Sequence, residues 1–183
     1  ASDVYKRQGC GYGDIGLHFR KMGANVTFTD ARAEHLEYVK THSPDSKMYQ
    51  IDQDKEWNIS SRFDLIIHTG VLYHLSNWRQ DLRCTLKHSN KIILETVVEN
   101  HPSDTYEHTM KEKDAWDQAI NLSSVRPSAA CLEKFLTDMD VNFTRFDDPK
   151  LNATGHKYDW KVGDEDKNRK YAYRRFYLLE KNK

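Results

Sequence analysis

The chain has 183 residues, enough for one domain with a single core of ordinary size. Its 28 basic and 28 acidic side chains cancel, so bulk charge points to neither a nucleic acid nor a membrane surface, although a local patch can still act within a neutral chain. No apolar run approaches the roughly 18 residues that a membrane span needs, and no stretch reads as a signal-peptide core. Cys10, Cys84 and Cys131 are odd in number and lack metal or disulfide spacing, so they read as reduced thiols in a cytoplasmic compartment. The histidines form no H-x-x-x-H or H-E-x-x-H pair, and no metal is expected.

The chain opens awkwardly. A strand that feeds a glycine loop in an open parallel sheet lies mid-sheet, is covered on both faces, and should be nearly all apolar. Here Asp3-Val4-Tyr5-Lys6-Arg7-Gln8 ends in three long polar side chains, and burying Lys6 and Arg7 without partners is costly. One reading is an unusual, partly exposed strand. The sharper reading is that this stretch resembles translated library adapter, a peptide that recurs at the ends of reading frames taken from metagenomic reads. On that reading residues 1–8 are not native, and an apolar strand with further chain upstream belongs in their place.

Gly9-Cys10-Gly11-Tyr12-Gly13-Asp14-Ile15-Gly16 follows, with Asp30 seventeen residues after Gly13. Closely spaced glycines let a strand turn sharply into a helix and leave room for a ligand against the main chain. An acid about 20 residues on, at the end of a second strand, is placed to accept from a ribose diol. The spacing predicts a nucleoside-containing cofactor.

Further elements follow in order. Apolar Ile15, Leu17, Phe19 and Met22 predict a helix from Asp14 to Lys21, ended by Gly23. Asn25 to Asp30 reads as a strand, Ala33 to Lys40 as a helix, and Lys47 to Asp52 as a third strand. Phe63 to His68 is a strong buried strand, continued by Thr69 to Leu75. A helix from Trp78 to Lys87 precedes the strand Lys91 to Thr96. This regular alternation predicts a parallel sheet with helices on both faces. Residues 99–125 are polar and read as an insertion over one sheet edge, with Trp116, Ile120 and Leu122 its main apolar points. Pro127-Ser128 opens a helix from Ala129 to Met139. Asn142 to Phe146 and Tyr171 to Glu180 then form an antiparallel closing pair, joined by the charged loop 147–169. One domain over residues 1–183 is expected.

These residues together resemble the class I S-adenosylmethionine-dependent methyltransferases, over roughly residues 9 to 180. The resemblance rests on Gly9-Cys10-Gly11-Tyr12-Gly13, Asp30, Phe63-Asp64-Leu65-Ile66 leading into Gly70-Val71-Leu72-Tyr73-His74-Leu75, and Arg174-Arg175-Phe176-Tyr177. It implies a doubly wound, mostly parallel, seven-stranded Rossmann-like sheet with an antiparallel C-terminal strand. It also implies S-adenosyl-L-methionine as cofactor. Gly9, Cys10, Gly11 and Gly13 would lie against its methionine part and ribose, and Asp30 with Ala31 would meet the ribose hydroxyls. Asp52 and Gln53 would meet the adenine edge, and Thr69 and Gly70 would line the cleft near the methionine. The rival reading is an NAD-dependent oxidoreductase, because Gly11-x-Gly13-x-x-Gly16 satisfies the dinucleotide fingerprint. Such an enzyme often carries Tyr-x-x-x-Lys on a helix after the fourth strand. The chain offers only Tyr177 to Lys181, in the last strand. A catalytically silent cofactor-binding or partner protein is the third reading.

His74 follows the fourth strand and is the first choice for a base, or else a structural histidine of the loop. Glu95 ends the fifth strand at the same sheet edge and is the second catalytic candidate, with helix capping as its bland alternative. Tyr73, Arg126 and Ser128 are candidate substrate contacts; Arg126 suits an anionic group, Tyr73 also suits packing, and Ser128 also suits a helix start. His156, Tyr158, Asp159 and Trp160 form a lid or fold back onto the sheet edge. Lys167, Arg169, Lys170, Arg174 and Arg175 read as a solvated basic face. The expected acceptor is a small molecule. The Leu-Glu-Thr and Pro-Ser elements are loosely similar to enzymes that modify the tRNA wobble uridine, and RNA is the other acceptor class.

Overall fold

The computed structural model describes residues 4–115, 118–153, 155–164 and 172–181. Expectations placed on Ala1 to Asp3, Trp116, Lys167, Arg169 and Lys170 lie outside the described residues. Strand β1 (Val4–Gln8) leads into helix α1 (Asp14–Lys21), β2 (Asn25–Asp30), α2 (Ala33–His42) and β3 (Met48–Gln50). Then come β4 (Leu65–Thr69), a short 3-10 helix (Leu72–His74), α3 (Trp78–His88) and β5 (Lys91–Val97). A hairpin of β6 (Glu107–Lys111) and β7 (Ser123–Pro127) precedes α4 (Ala129–Asp138), β8 (Val141–Arg145), β9 (His156–Lys157) and β10 (Ala172–Lys181).

The main sheet is mixed, ordered β3-β2-β1-β4-β5-β10-β8, with β9 added beside β10. Strands β3, β2, β1, β4 and β5 pair in parallel, whereas β10 runs antiparallel to both β5 and β8. The sequence expectation of seven strands is corrected to eight. Strand β9 has only two residues, too short to show as alternation inside a charged loop.

Register shows which face each helix covers. Lys6 stands beside Thr27 on one side and Ile66 on the other, so Val26 and Phe28 point to the opposite face. Val26 and Phe28 pack with Leu36 and Val39 of α2 and with Leu17 and Phe19 of α1. Ile66, Ile92 and Leu94 pack with Trp78 and Leu82 of α3 and with Leu132 and Leu136 of α4. Helix α1 can approach closely because Gly16 faces Phe28, where an added Cβ would come within 2.3 Å of the ring.

β1 takes its place mid-sheet with a lysine at its centre. Lys6 is 0% exposed, which removes the reading of a partly exposed strand at that position. Its Nζ lies 3.3 Å from the centre of the Trp57 ring. Burial pushes its pKa down to about 7, against the opposing pull of Asp81 and Cys84.

Residues 99–125 are more structured than expected. Most of the segment is the β6–β7 hairpin, a separate two-stranded sheet. Its strands read Glu-His-Thr-Met-Lys and Ser-Ser-Val-Arg-Pro, with neither an apolar alternation nor a two-residue turn signal between them.

Candidate functional site

The loops leaving the carboxyl ends of β1, β2, β3 and β4 converge on one cleft, the position where open α/β sheets bind ligands. Gly9, Gly11, Asp30, Asp52, Gln53, Gly70 and His74 all line it, around a cavity of about 200 Å³. Sequence reasoning named all seven.

The glycine run is held at both ends. Gly9 has a φ of +52°, and an added Cβ would sit 2.2 Å from Val71 Cγ2, so any side chain there collides with the loop after β4. Gly11, at φ +51°, has open space on that side, and its amide donates to Asp30 Oδ2 at 2.8 Å. Asp30 Oδ1 accepts the Arg32 amide at 3.0 Å and lies 3.1 Å from His35 Nδ1. Asp30 thus fixes the loop and still lines the cleft, because a carboxylate offers about four acceptor sites. Gln53 is buried, and its Nε2 has no hydrogen-bond partner among the described residues. Asp52 accepts the Asp54 amide and pairs with Lys55 at 2.9 Å.

A second cleft of about 470 Å³ adjoins the first and shares Gly70 with it. Thr69, Tyr73, Glu95, Tyr158 and Arg174 line it. Glu95 accepts from Arg174 Nη1 at 2.7 Å and from the Gly70 amide at 3.1 Å. Arg174 Nη2 reaches the Tyr73 hydroxyl at 3.4 Å. Burial, then the charge of Glu95, pushes Tyr158 up to about 12. The two arginines of the expected basic face are not solvated: Arg174 is mostly buried against Glu95, and Arg175 is 2% exposed, donating to the Tyr158 and Trp160 carbonyls. Trp160 folds back onto β10, its Nε1 donating to the Arg174 carbonyl.

Five predicted site residues line neither cleft. Cys10 is buried under the loop, its amide donating to the Thr29 carbonyl. Gly13 caps α1 in a left-handed conformation and packs against Val39. The Ala31 carbonyl accepts from Gln50 Nε2. Arg126 sits on β7 over the Tyr73 ring, 5.6 Å from its centre. Ser128 is corrected to a structural role: it is 0% exposed, its hydroxyl donates to the Ser103 carbonyl at 2.6 Å and it accepts the Cys131 amide at 3.0 Å as the N-cap of α4. A fully buried hydroxyl that already donates and accepts within the fold is out of a substrate's reach.

The hairpin supplies the other wall of the first cleft, and sequence reasoning missed it. Gln118, Ala119, Ile120 and Asn121 face the glycine loop across the cavity. Arg32 Nη2 ties this wall to β2 by donating to the Ala115 and Gln118 carbonyls at 2.9 and 3.2 Å. Asn121 Nδ2 donates to Asp54 Oδ2 at 3.2 Å. Glu112 Oε2 lies 2.7 Å from His74 Nδ1 and accepts the Ala119 amide at 2.8 Å. Burial opposes ionisation of Glu112, but the nearby Ser124 hydroxyl, the Ala119 amide and His74 outweigh it and hold its carboxyl below the usual range.

The Tyr177 to Lys181 match to an oxidoreductase signature is not part of either cleft. Tyr177 is 0% exposed in β10 and its hydroxyl donates to Glu133 at 2.9 Å.

The family model for a methyltransferase domain matches residues 8–135. The chain belongs to the methyltransferase-domain family. Solved structures agree on the fold of this methyltransferase-domain chain. The N-terminal domain of EvdMO1, solved with SAH bound, superposes with a TM-score of 0.71 at 14% identity, covering 100% of this chain and 76% of that one. An S-adenosylmethionine-dependent methyltransferase from Mesorhizobium loti gives 0.70 at 12% identity, covering 99% and 92%. Magnesium protoporphyrin IX methyltransferase from Synechocystis PCC 6803, with bound SAM, gives 0.62 at 14% identity, covering 98% and 70%. A search of curated proteins gives no match. No helix among the described residues is long and apolar enough to cross a membrane.

Proposed function

We propose that this methyltransferase-domain chain transfers a methyl group from S-adenosyl-L-methionine to a small-molecule acceptor by in-line displacement. The observation that carries the reading is the convergence of Gly11, Asp30, Asp52, Gln53 and Gly70 on one cleft at the carboxyl ends of four strands. The residues fit the cofactor. Gly11 and Gly70 leave open space where a Cβ would stand, at positive φ, so main chain can lie directly against a ligand. Gln53 Nε2, buried and without a partner among the described residues, is a donor open to an acceptor such as a ring nitrogen. Asp30 keeps acceptor capacity for a diol, and Asp52 can accept from an exocyclic amine.

When bound, the cofactor supplies an electrophilic methyl group on a sulfonium. The protein's own part is placement and exclusion of water. Asp30 and Gln53 would fix the nucleoside, and Gly70, shared by both clefts, marks where the acceptor would meet it. Tyr73, Glu95, Tyr158 and Arg174 would then wall the acceptor side, with Arg126 behind Tyr73 and His74, whose ring lies against Tyr73, where the two clefts adjoin. In finer detail we read the fold as the doubly wound class I type, one domain in which residues 99–125 and 147–169 decorate the sheet. The three buried thiols suit a cytoplasmic, reducing compartment.

The test is a labelled-methyl transfer screen across small metabolites, sugars and RNA, run beside calorimetric titration with S-adenosylhomocysteine. Label on a small molecule is the expected result. Label on RNA alone replaces the acceptor class, and tight binding without transfer to anything favours the silent-binder reading.

A further inference from the structure

A carboxylate from the hairpin, nearly sealed from solvent, is pressed against His74 of the 3-10 helix after β4, and neither residue is among those assigned above to the cofactor. The Glu112 side chain is 2% exposed and that of His74 is 16% exposed. Their contact, Oε2 to Nδ1 at 2.7 Å, joins the hairpin wall to the 3-10 helix, and the same Oε2 also takes the Ala119 amide. The Arg126 guanidinium stands 3.8 Å from the other oxygen. Groups on β7, in the loop before it and on the 3-10 helix therefore all favour an ionised Glu112.

An ionised carboxylate has no proton to donate. The proton in the Glu112–His74 contact must sit on Nδ1. A neutral imidazole carries only one, so Nε2 is left with a lone pair. Nε2 has no hydrogen-bond partner among the described residues, and His74 lines the cleft. The Tyr73 ring centre lies 4.1 Å from that of the imidazole, tilted by 43°.

We infer that Glu112 is a positioning residue that fixes His74 as an Nε2 base, and that the acceptor is therefore a hydroxyl. This rests on the methyl-transfer reading. As the acceptor oxygen bonds the methyl carbon and the carbon–sulfur pair stays on sulfur, the hydroxyl proton passes to His74 Nε2. His74 becomes an imidazolium, which Glu112 stabilises, and it later releases the proton to water. A hydroxyl needs such a base because it is a poor nucleophile while protonated; a neutral amine already carries its lone pair and gains little from one. The device also explains why the base and its partner lie on different elements. The dyad exists only when the hairpin is seated, so the base is assembled together with the cleft wall.

The test uses the full chain labelled with ¹⁵N, with S-adenosylhomocysteine present, and reads the His74 tautomer from two-bond ¹H–¹⁵N couplings above the histidine titration. The wild type is expected to hold the proton on Nδ1. Glu112→Gln, whose carbonyl oxygen can occupy the same place, should keep that tautomer, and Glu112→Leu should shift His74 toward the Nε2–H form. A wild-type His74 with its proton on Nε2 overturns the inference, as does a Glu112→Leu protein whose tautomer is unchanged. If Glu112→Leu does not fold, the wild-type tautomer decides alone. In the transfer screen, label on hydroxylated acceptors with kcat lowered about 10²-fold in Glu112→Leu and KM held supports the inference; label confined to amines or thiols overturns its acceptor class. Failure of S-adenosylhomocysteine to bind would instead strike the cofactor reading and leave the tautomer result standing separately.

Discussion

The two walls of the first cleft are built by opposite rules. The sheet wall comes from the ends of four parallel strands, and its residues announce themselves: glycines where main chain must turn or lie bare, and an acid at a strand end. The hairpin wall comes from Gln118, Ala119, Ile120 and Asn121 and announces nothing, yet it closes one side of the cleft, and the same hairpin brings the Glu112 carboxylate to His74. The difference is physical. A strand–turn–helix loop needs particular backbone conformations, which few residue types supply, whereas a wall made by seating a hairpin needs only polar atoms in the right place after folding. Each wall also buries a charge-bearing side chain: the central strand of the sheet wall buries Lys6 with its Nζ over the Trp57 ring, and the hairpin buries Glu112, whose Oε2 meets His74 and the Ala119 amide.

That contrast can be broken or sharpened. The largest effect is expected at Lys6. The fall from 10.5 to about 7 corresponds to about 5 kcal/mol of folding free energy. Its sign is fixed by linkage: between pH 7 and 10.5 the unfolded chain binds a proton that the folded chain does not, so stability rises with pH across that window. Below pH 7 both states are protonated and the full penalty applies. Lys6→Met should raise the melting temperature near neutral pH and abolish the rise on going from pH 7 to 10. A variant that melts lower, or keeps the slope, would show that Lys6 is accommodated without strain on the sheet.

Next in size is Asp30→Ala. It removes the acceptor for the Gly11 and Arg32 amides as well as a lining carboxylate, so S-adenosylhomocysteine binding is expected to weaken about 10²-fold, roughly 3 kcal/mol, in calorimetry. Arg32→Ala cuts the tie between the two walls and removes a side chain that itself lines the cleft. Affinity should fall about tenfold, with thermal stability nearly unchanged; an unaltered affinity would mean that neither Arg32 nor its tie to the hairpin supports binding. The smallest effect belongs to Ser128→Ala, which removes a helix N-cap and should cost about 1 kcal/mol in denaturant unfolding without changing kcat. A changed kcat at constant stability would return Ser128 to the substrate.

How much was legible follows the same division. Asp30, Asp52, Gln53 and Gly70 are legible from the ends of patterned strands and from family resemblance, whereas Gly9 and Gly11 are legible from glycine spacing alone, since the strand before them is polar. Ser128 was misassigned because a serine before a helix serves capping and substrate contact equally well until burial is known. Arg174 and Arg175 read as a solvated run, since linear sequence cannot show that this part of β10 pairs with β5, with Glu95 covering Arg174 on one face and the Tyr158 and Trp160 carbonyls engaging Arg175 on the other. Glu112 left no signal at all: its role depends on a contact with His74, thirty-eight positions away, and the hairpin strand that leads to it is exposed and irregular in pattern.

The ligand of the first cleft is the central claim, and isothermal titration of the full chain with S-adenosylhomocysteine and, separately, with NADH tests it most directly. Saturable binding of S-adenosylhomocysteine, weakened in Asp30→Ala and absent for NADH, is the expected result. Binding of NADH in its place, or of neither ligand, would contradict it.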